Sequence, residues 1–460
     1  MGDSTCAEKL APLDLSMPRT YIRVLLVFEQ TGSMLQTTQN FQHGLDKLAK
    51  QVYWISGQIF PILSPESAFS LGIRWDSNNT PTLVDKGFIK TSYRWASSHE
   101  MPAEAIPSDI WPVPSVIDDT LFAAGAPVFA ASMFHFADEG VGLCVCLHHN
   151  AVDATGFSEI LRLWSRNITD PGFIFSCSPQ SRSERLSEAL SFDLQKTSSM
   201  PPEDIFTRHP EYSRTPPALP ESFPSCRSKL FAISIHWIDI LKELMRKYTS
   251  TTLTTNTVIC ALIWTAVTRV RIKSDPSLET KKVRLATAVN GRQRISETFS
   301  TTTSPFLGNA VFYSLSSLPA GTLAGSDEAP VRSLAKICDQ ITQSQSPSVI
   351  NSRHIAEVYH LVDLMEDCTK SLFVGWDLFR SRDLTITSWA DLDLYGIDFG
   401  GGIGKAKYVR LPSMEADGVA LILPRQRAVP QEVLEIIVML RSEHMDSLES
   451  DLMWQTLQRV

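Results

Sequence analysis

Val141-Gly142-Leu143-Cys144-Val145-Cys146-Leu147-His148-His149-Asn150-Ala151-Val152-Asp153 is the stretch on which the fold turns. The apolar run Val141 to Leu147 follows the turn-forming Asp138-Glu139-Gly140 and predicts a buried strand. Phe157, Ile160, Leu161 and Trp164 recur at helical spacing just after it and predict a helix. His149 and Asp153 therefore stand where a strand ends and the chain turns. Such places present side chains to a cleft from a rigid scaffold.

His149 suits general-base chemistry, because imidazole titrates near neutral pH and can take a proton and return it. Asp153 can orient the imidazole directly, or hold the loop through a cation elsewhere. A plainer reading also fits the spacing: a strand-end histidine satisfied by backbone, with Asp153 capping the helix that follows. His148 is expected to face the core.

The 460 residues allow two lobes of roughly 200 each. A hydrophobic share of 43 % and a charged share of 20 % describe an ordinary soluble globular protein, and a net charge of −8 argues against nucleic acid as partner. Eight scattered cysteines make no Cys-x-x-Cys pair, which points to a reducing, cytoplasmic setting with no metal site. Ile22 to Phe28 is too short for a signal or a membrane span. Met1-Gly2 starts like a myristoylation signal, but position 6 is cysteine where serine or threonine is needed.

Tyr21 to Phe28 reads as a strand and Phe41 to Val52 as a helix. Phe129 to Phe136 and Val141 to Leu147 read as a hairpin. The composition shifts to Ser and Pro between 178 and 227, which predicts a crossover linker with one short helix around Ser183 to Asp193. Beyond it, helices are expected at Ile235 to Arg246 and Thr255 to Arg271. Strands are expected near Val283, Ala310, Leu384, Val419 and Ile436. The expected organisation is an N-terminal lobe over 1–177, the linker over 178–227 and a C-terminal lobe over 228–460.

Several segments together resemble the BAHD acyl-CoA-dependent acyltransferases, in particular the fungal secondary-metabolite branch with its trichothecene acetyltransferases. His149 and Asp153 match the family's His-x-x-x-Asp signature. Asp398-Phe399-Gly400-Gly401-Gly402 matches its Asp-Phe-Gly-Trp-Gly signature, with Gly401 in place of Trp. Leu13 to Arg19, Asn290 to Arg294, Phe306 to Ala310 and Thr387-Ser388-Trp389 are similar to further family segments in the same order. Ala154-Thr155-Gly156 departs from the glycine that often follows the aspartate directly. The resemblance implies an α/β fold of two chloramphenicol-acetyltransferase-like lobes with mixed sheets and a channel between them. Acyl-CoA, acetyl-CoA first of all, would be the co-substrate and a small-molecule alcohol the acceptor. It further implies a monomer that needs no bound cofactor, metal, nucleic acid or membrane.

Under that resemblance His149 is the base and Asp153 forms a salt bridge, with Arg292 its expected partner. Thr387 and Trp389 stand at the reaction centre, where the indole N–H can only donate. Asn309 lines the channel or caps a turn, and Asp398 and Gly400 give structural support. Lys405, Lys407 and Arg410 are candidates for CoA phosphates by charge and position alone. The run Gly400 to Lys405 fails as a Walker loop, because 399 is Phe and 406 is Ala, so a tight turn is expected. Two other functions remain open: a condensation-type enzyme with a carrier-bound donor, suggested by His148-His149, and a non-catalytic binder on the same fold.

Overall fold

The computed structural model describes residues 5–29, 33–62, 69–325, 329–427 and 429–458. The Met1-Gly2 reading lies outside them. Two large sheets organise the chain. The first has five strands, in the order Tyr408–Arg410, Tyr21–Phe28, Val141–His148, Phe129–His135 and Leu83–Phe88.

Every residue of the central strand Val141–His148 is buried. Side chains alternate across a strand, so its two faces feed two different cores. Val141, Leu143, Val145 and Leu147 join the aromatic core of Phe28, Phe41 and Trp164. Cys144 and Cys146 point the other way, toward Tyr93, Phe134 and Phe136. A strand covered on both faces needs the near-continuous apolar run seen here. Helix Ala154–Thr169 follows; the Asp153 side chain caps it by accepting from Gly156 N, and it stops before Pro171.

The second sheet has six strands, in the order Cys226–Ser234, Val433–Arg441, Val419–Ile422, Leu384–Ser388, Lys282–Asn290 and Val311–Pro319. Leu384–Ser388 runs parallel to both its neighbours, and the other pairings are antiparallel, so the sheet is mixed. Helix Thr255–Ser274 is buried on nearly all sides and fills the second core against Pro330–Ser344. This is the α/β class with mixed sheets that was expected.

The lobes trade chain. Tyr408–Arg410 lies far along the second half, yet it adds an antiparallel strand to the first sheet, with Tyr408 opposite Val27 and Arg410 opposite Leu25. Leu394, Phe399, Ile403, Val409 and Leu411 thereby belong to the first core. The strand covers an edge that would otherwise stay open.

The Ser/Pro-rich segment is more ordered than one short helix. Arg182–Ala189, Ser191–Thr197 and Pro202–Arg208 are all helical. Ser181 and Glu184 form a capping box at the first, and Pro202 sits at the start of the third, where its missing N–H costs nothing. Reading those prolines only as breakers hides the helix they start. No described helix is long and apolar enough to cross a membrane.

Candidate active site

The loop from His148 to Asp153 is held by groups from three parts of the chain. His149 N donates to Thr20 O at 2.8 Å, and His149 O accepts from Asn309 Nδ2 at 2.9 Å. Ala151 O accepts from Arg182 at 2.8 Å. Asn150 Nδ2 donates to Asp14 O at 2.7 Å and to Met17 O at 2.9 Å. Asn309 is fully buried and also donates to Asp14 Oδ1, so it is a brace between segments and does not line open space. The main chain of His149 is therefore pinned on both its N–H and its C=O.

Asp153 and Arg292 form a buried, two-pronged ion pair. Nη1 reaches Oδ2 and Nη2 reaches Oδ1, each at 2.9 Å. Ala310 N and Gly156 N add one bond each, so the carboxylate accepts four hydrogen bonds, about its full lone-pair complement. Burial opposes ionisation, but Arg292 and the two backbone donors hold this carboxyl below the usual range. Arg292 is itself saturated by the carbonyls of Phe306 and Gly308 at 2.8 and 2.7 Å. The pair thus clips the loop of one lobe to the 306–310 segment of the other. Gly156 belongs to this contact: a Cβ there would lie 2.1 Å from Leu307 O, so the glycine is needed at 156 and not at 154.

The His149 ring is held differently from its backbone. It is half-buried, and Nδ1 has no hydrogen-bond partner among the described residues. Burial lowers its pKa, with Asp153 and Asn309 pulling the other way, so the neutral base form is favoured. His148 is wholly buried, packs edge-on against Tyr21 at 5.4 Å and accepts from Asn150 N. Burial pushes it down to about 3, which keeps it neutral as a core residue.

Trp389 is buried beside the same core that contains Ala151, Val152 and Leu307, and its indole N–H has no acceptor among the described residues. Thr387 lies two residues before it, on the same face of Leu384–Ser388 and half-buried. Among the described residues, no hydrogen bond or ion pair joins either side chain to His149.

Asp398 and the glycines make the turn expected of them. Asp398 Oδ1 accepts from Gly400 N at 2.8 Å, and Ser165 Oγ donates to Asp398 O at 2.6 Å. Phe399 fills a pocket among Phe28, Phe41 and Trp164. Ser165 stands twelve residues down its helix from Asp153, or roughly 18 Å at helical rise, so this motif supports the lobe far from His149. Gly400 has φ +69°, and a Cβ there would lie 2.7 Å from Thr169 Cγ2. A Cβ at Gly401 meets nothing within 4 Å. Gly400→Ala is therefore expected to lower the melting temperature, by more than about 1 kcal/mol of stability, while Gly401→Ala should be neutral or gain about 0.4–1 kcal/mol. Thermal melts of the two variants check this; equal effects would contradict it.

Lys405 and Lys407 are exposed on a cavity of about 770 Å³ shared with Glu29, Asp393 and Arg427, and Lys407 lies 3.6 Å from Glu29. Arg410 departs from its expected place. It is buried, paired through two nitrogens with Glu435, and donates to Met101 O and Glu100 O, so it is no surface group for phosphate.

Two participants had no signal of their own in the sequence. Asp14 was visible only within the Leu13–Arg19 segment, and Arg182 fell inside the presumed linker. Their roles rest on contacts across 295 residues (Asn309 to Asp14) and 31 residues (Arg182 to Ala151), which no local pattern announces.

Comparison with known proteins follows the same geometry. The profile of the Transferase family matches residues 116–454, and that of the trichothecene 3-O-acetyltransferase-like N-terminal domain matches 20–167. An eremophilane O-acetyltransferase of Penicillium roqueforti is 23 % identical over 96 % of each chain. A trichothecene 8-O-acetyltransferase of Fusarium sporotrichioides is 24 % identical over 76 % of each. Among solved structures, F. graminearum TRI101 complexed with ethyl coenzyme A superposes with a TM-score of 0.79 at 18 % identity, covering 98 % of this chain and 99 % of that one. TRI101 has also been crystallised with coenzyme A and deoxynivalenol.

Proposed function

The chain belongs to the Transferase family and is an acyl-CoA-dependent acyltransferase, and we propose that it moves an acetyl group from acetyl-CoA to a hydroxyl of a small secondary metabolite, with His149 as general base. The carrying observation is the contrast at His149. Its backbone is bonded on both sides, while its ring is kept neutral by burial and Nδ1 has no partner among the described residues. With the backbone fixed and Nδ1 enclosed, Nε2 is the ring nitrogen left to take the acceptor's proton and return it.

In this reading His149 takes the proton of the acceptor hydroxyl as its oxygen attacks the thioester carbonyl. The tetrahedral intermediate collapses, the C–S bond breaks, and His149 gives the same proton to the departing thiolate. The products are an ester and free CoA thiol, and no bond to the enzyme forms. Trp389, with its unused and buried N–H, and the Thr387 hydroxyl are suited to steady the oxyanion or the acceptor. Asp153 acts through Arg292 as a positioning residue. A channel between the lobes would admit the two substrates, with Lys405 and Lys407 offered to the CoA phosphates. All eight cysteines are free, which fits a reducing, cytoplasmic setting, and the enzyme is proposed to act as a monomer.

The test is incubation of the purified protein with a panel of acyl-CoAs and alcohols, reading product mass and free thiol. Ester and thiol should appear together with acetyl-CoA. Turnover only with an acyl group on a carrier protein would instead make this a condensation-type enzyme.

The pH profile follows from His149. A histidine whose pKa is lowered by burial stays in its base form as pH falls below the ordinary value, about 6.5. The acid limb of kcat/KM should therefore have its midpoint below about 6.5. A midpoint above that value would contradict the assignment.

A further inference from the structure

A second constellation lies outside the His149 network. His209 follows the helix Pro202–Arg208, Glu211 comes two residues later, and His354 sits in the first turn of Ser352–Asp363. The expectation of no ligand cluster holds along the sequence but fails in space, because folding unites residues 145 positions apart. All three are buried, and their donor atoms lie within 4.8 Å of one another. Glu211 Oε1 is 3.2 Å from His209 Nδ1 and 3.2 Å from His354 Nε2.

We propose that His209, Glu211 and His354 form a site for a single divalent transition-metal ion of the zinc class, tying the connecting segment to the second lobe. Ligand bonds of about 2.0–2.2 Å in a tetrahedral site place neighbouring donor atoms about 3.3–3.5 Å apart, close to the separations found here. His354 Nε2 is buried and, despite its nearness to Glu211, makes no aligned hydrogen bond. In the tautomer with its proton on Nδ1, His354 would turn the Nε2 lone pair to the ion. His209 Nε2 lies 2.8 Å from Glu357 Oε2, the carboxylate–histidine arrangement that fixes a metal-binding tautomer with Nδ1 toward the ion. Glu357 is in turn braced by Arg353 at 2.9 Å and Arg208 at 3.2 Å. The cluster opens on a cavity of about 490 Å³ lined also by Tyr313, Gln343 and Asn351, which gives a fourth, water ligand room to enter.

The competing occupant is a proton. Without metal, His209 bridges Glu211 and Glu357 through its two ring nitrogens, with Arg208 and Arg353 on the far side of Glu357. Metal ligands must give up their protons to coordinate, so affinity should rise with pH. The site shares no residue with the His149 network, and its ion would stabilise the fold without entering acyl transfer.

The experiment uses the full-length protein without a histidine tag, stripped with a chelator and titrated with Zn²⁺ by calorimetry in two buffers of different ionisation heat. Expected are one ion per chain, net proton release, a higher melting temperature, and with Co²⁺ the intense visible absorption of a tetrahedral site. Glu211→Gln and His354→Gln should abolish stoichiometric binding, and Glu357→Gln should weaken it roughly 10–100-fold. Absence of saturable one-to-one binding, or a weak octahedral Co²⁺ spectrum, overturns the proposal in the wild-type protein alone, whatever the variants do. Binding that survives both Glu211→Gln and His354→Gln overturns it too.

Discussion

His149→Ala is expected to remove acyl transfer while leaving the fold in place. The loop that carries His149 is fixed by backbone bonds from Thr20 and Asn309 and by Asp153, none of which uses the imidazole. The ring itself accepts no load at Nδ1. Removing it should therefore cost little stability beyond lost packing at a half-buried position. In the proposed mechanism the reaction loses the group that takes the acceptor's proton and gives it to the thiolate. General-base help is worth roughly 10²–10⁴-fold, so kcat/KM should fall by at least that factor. Circular dichroism, the melting temperature and CoA affinity measured in parallel should stay close to wild type. Retention of more than about a tenth of the turnover would remove His149 from the mechanism.

The largest effect on stability should come from separating Asp153 and Arg292. Each is buried, and each satisfies main-chain groups: Arg292 the carbonyls of Phe306 and Gly308, Asp153 the N–H groups of Ala310 and Gly156. Asp153→Ala or Arg292→Met leaves the remaining charge unpaired in the interior, a loss of about 3–5 kcal/mol. The double variant removes both charges and should cost less than the sum of the singles. Arg292→Lys should not rescue, because an ammonium cannot match two carboxylate oxygens and two carbonyls at once. The effect has a sign in pH. The Asp153 carboxyl is held below its unfolded value, so its stabilisation is present above about 3.9 and is lost as pH falls through the folded pKa. Additive single effects in denaturant or thermal unfolding would refute the coupling.

What could be read in advance was local. The run Tyr21 to Phe28 is a strand with those bounds, because a run that is apolar but for Arg23 needs no distant partner to declare itself. Helix Thr255–Ser274 shows itself through Val258, Ile259, Leu262 and Val267, and Asp153 through its place before Phe157. What could not be read depends on partners far along the chain. Tyr408–Arg410 falls inside 406–411, a run that does read as a strand, but that it pairs with the distant edge of Tyr21–Phe28 could not be read. Pro330–Ser344 and Ser352–Asp363 bury one face each, but their polar residues disguise the period. Asp14 matters through Asn309, and Arg410 faces inward because Glu435 waits there. At the site, residue types and order were visible. The pairing of Asp153 with Arg292 was anticipated by the resemblance, but the bracing of His149 from Asn309, Arg182 and Asp14 emerges only when the lobes meet.

Direct passage of the acyl group from thioester to acceptor oxygen is best tested by following free thiol and intact protein mass together. Enzyme at substrate-level concentration is mixed with acetyl-CoA, first without and then with an acceptor alcohol, and quenched rapidly. Without acceptor, no stoichiometric burst of thiol and no change in protein mass is expected. With acceptor, thiol and ester should rise one for one while the protein mass stays constant, and both should vanish in His149→Ala. A burst of thiol before acceptor is added, with a protein heavier by one acetyl group that then decays into product, would contradict the account.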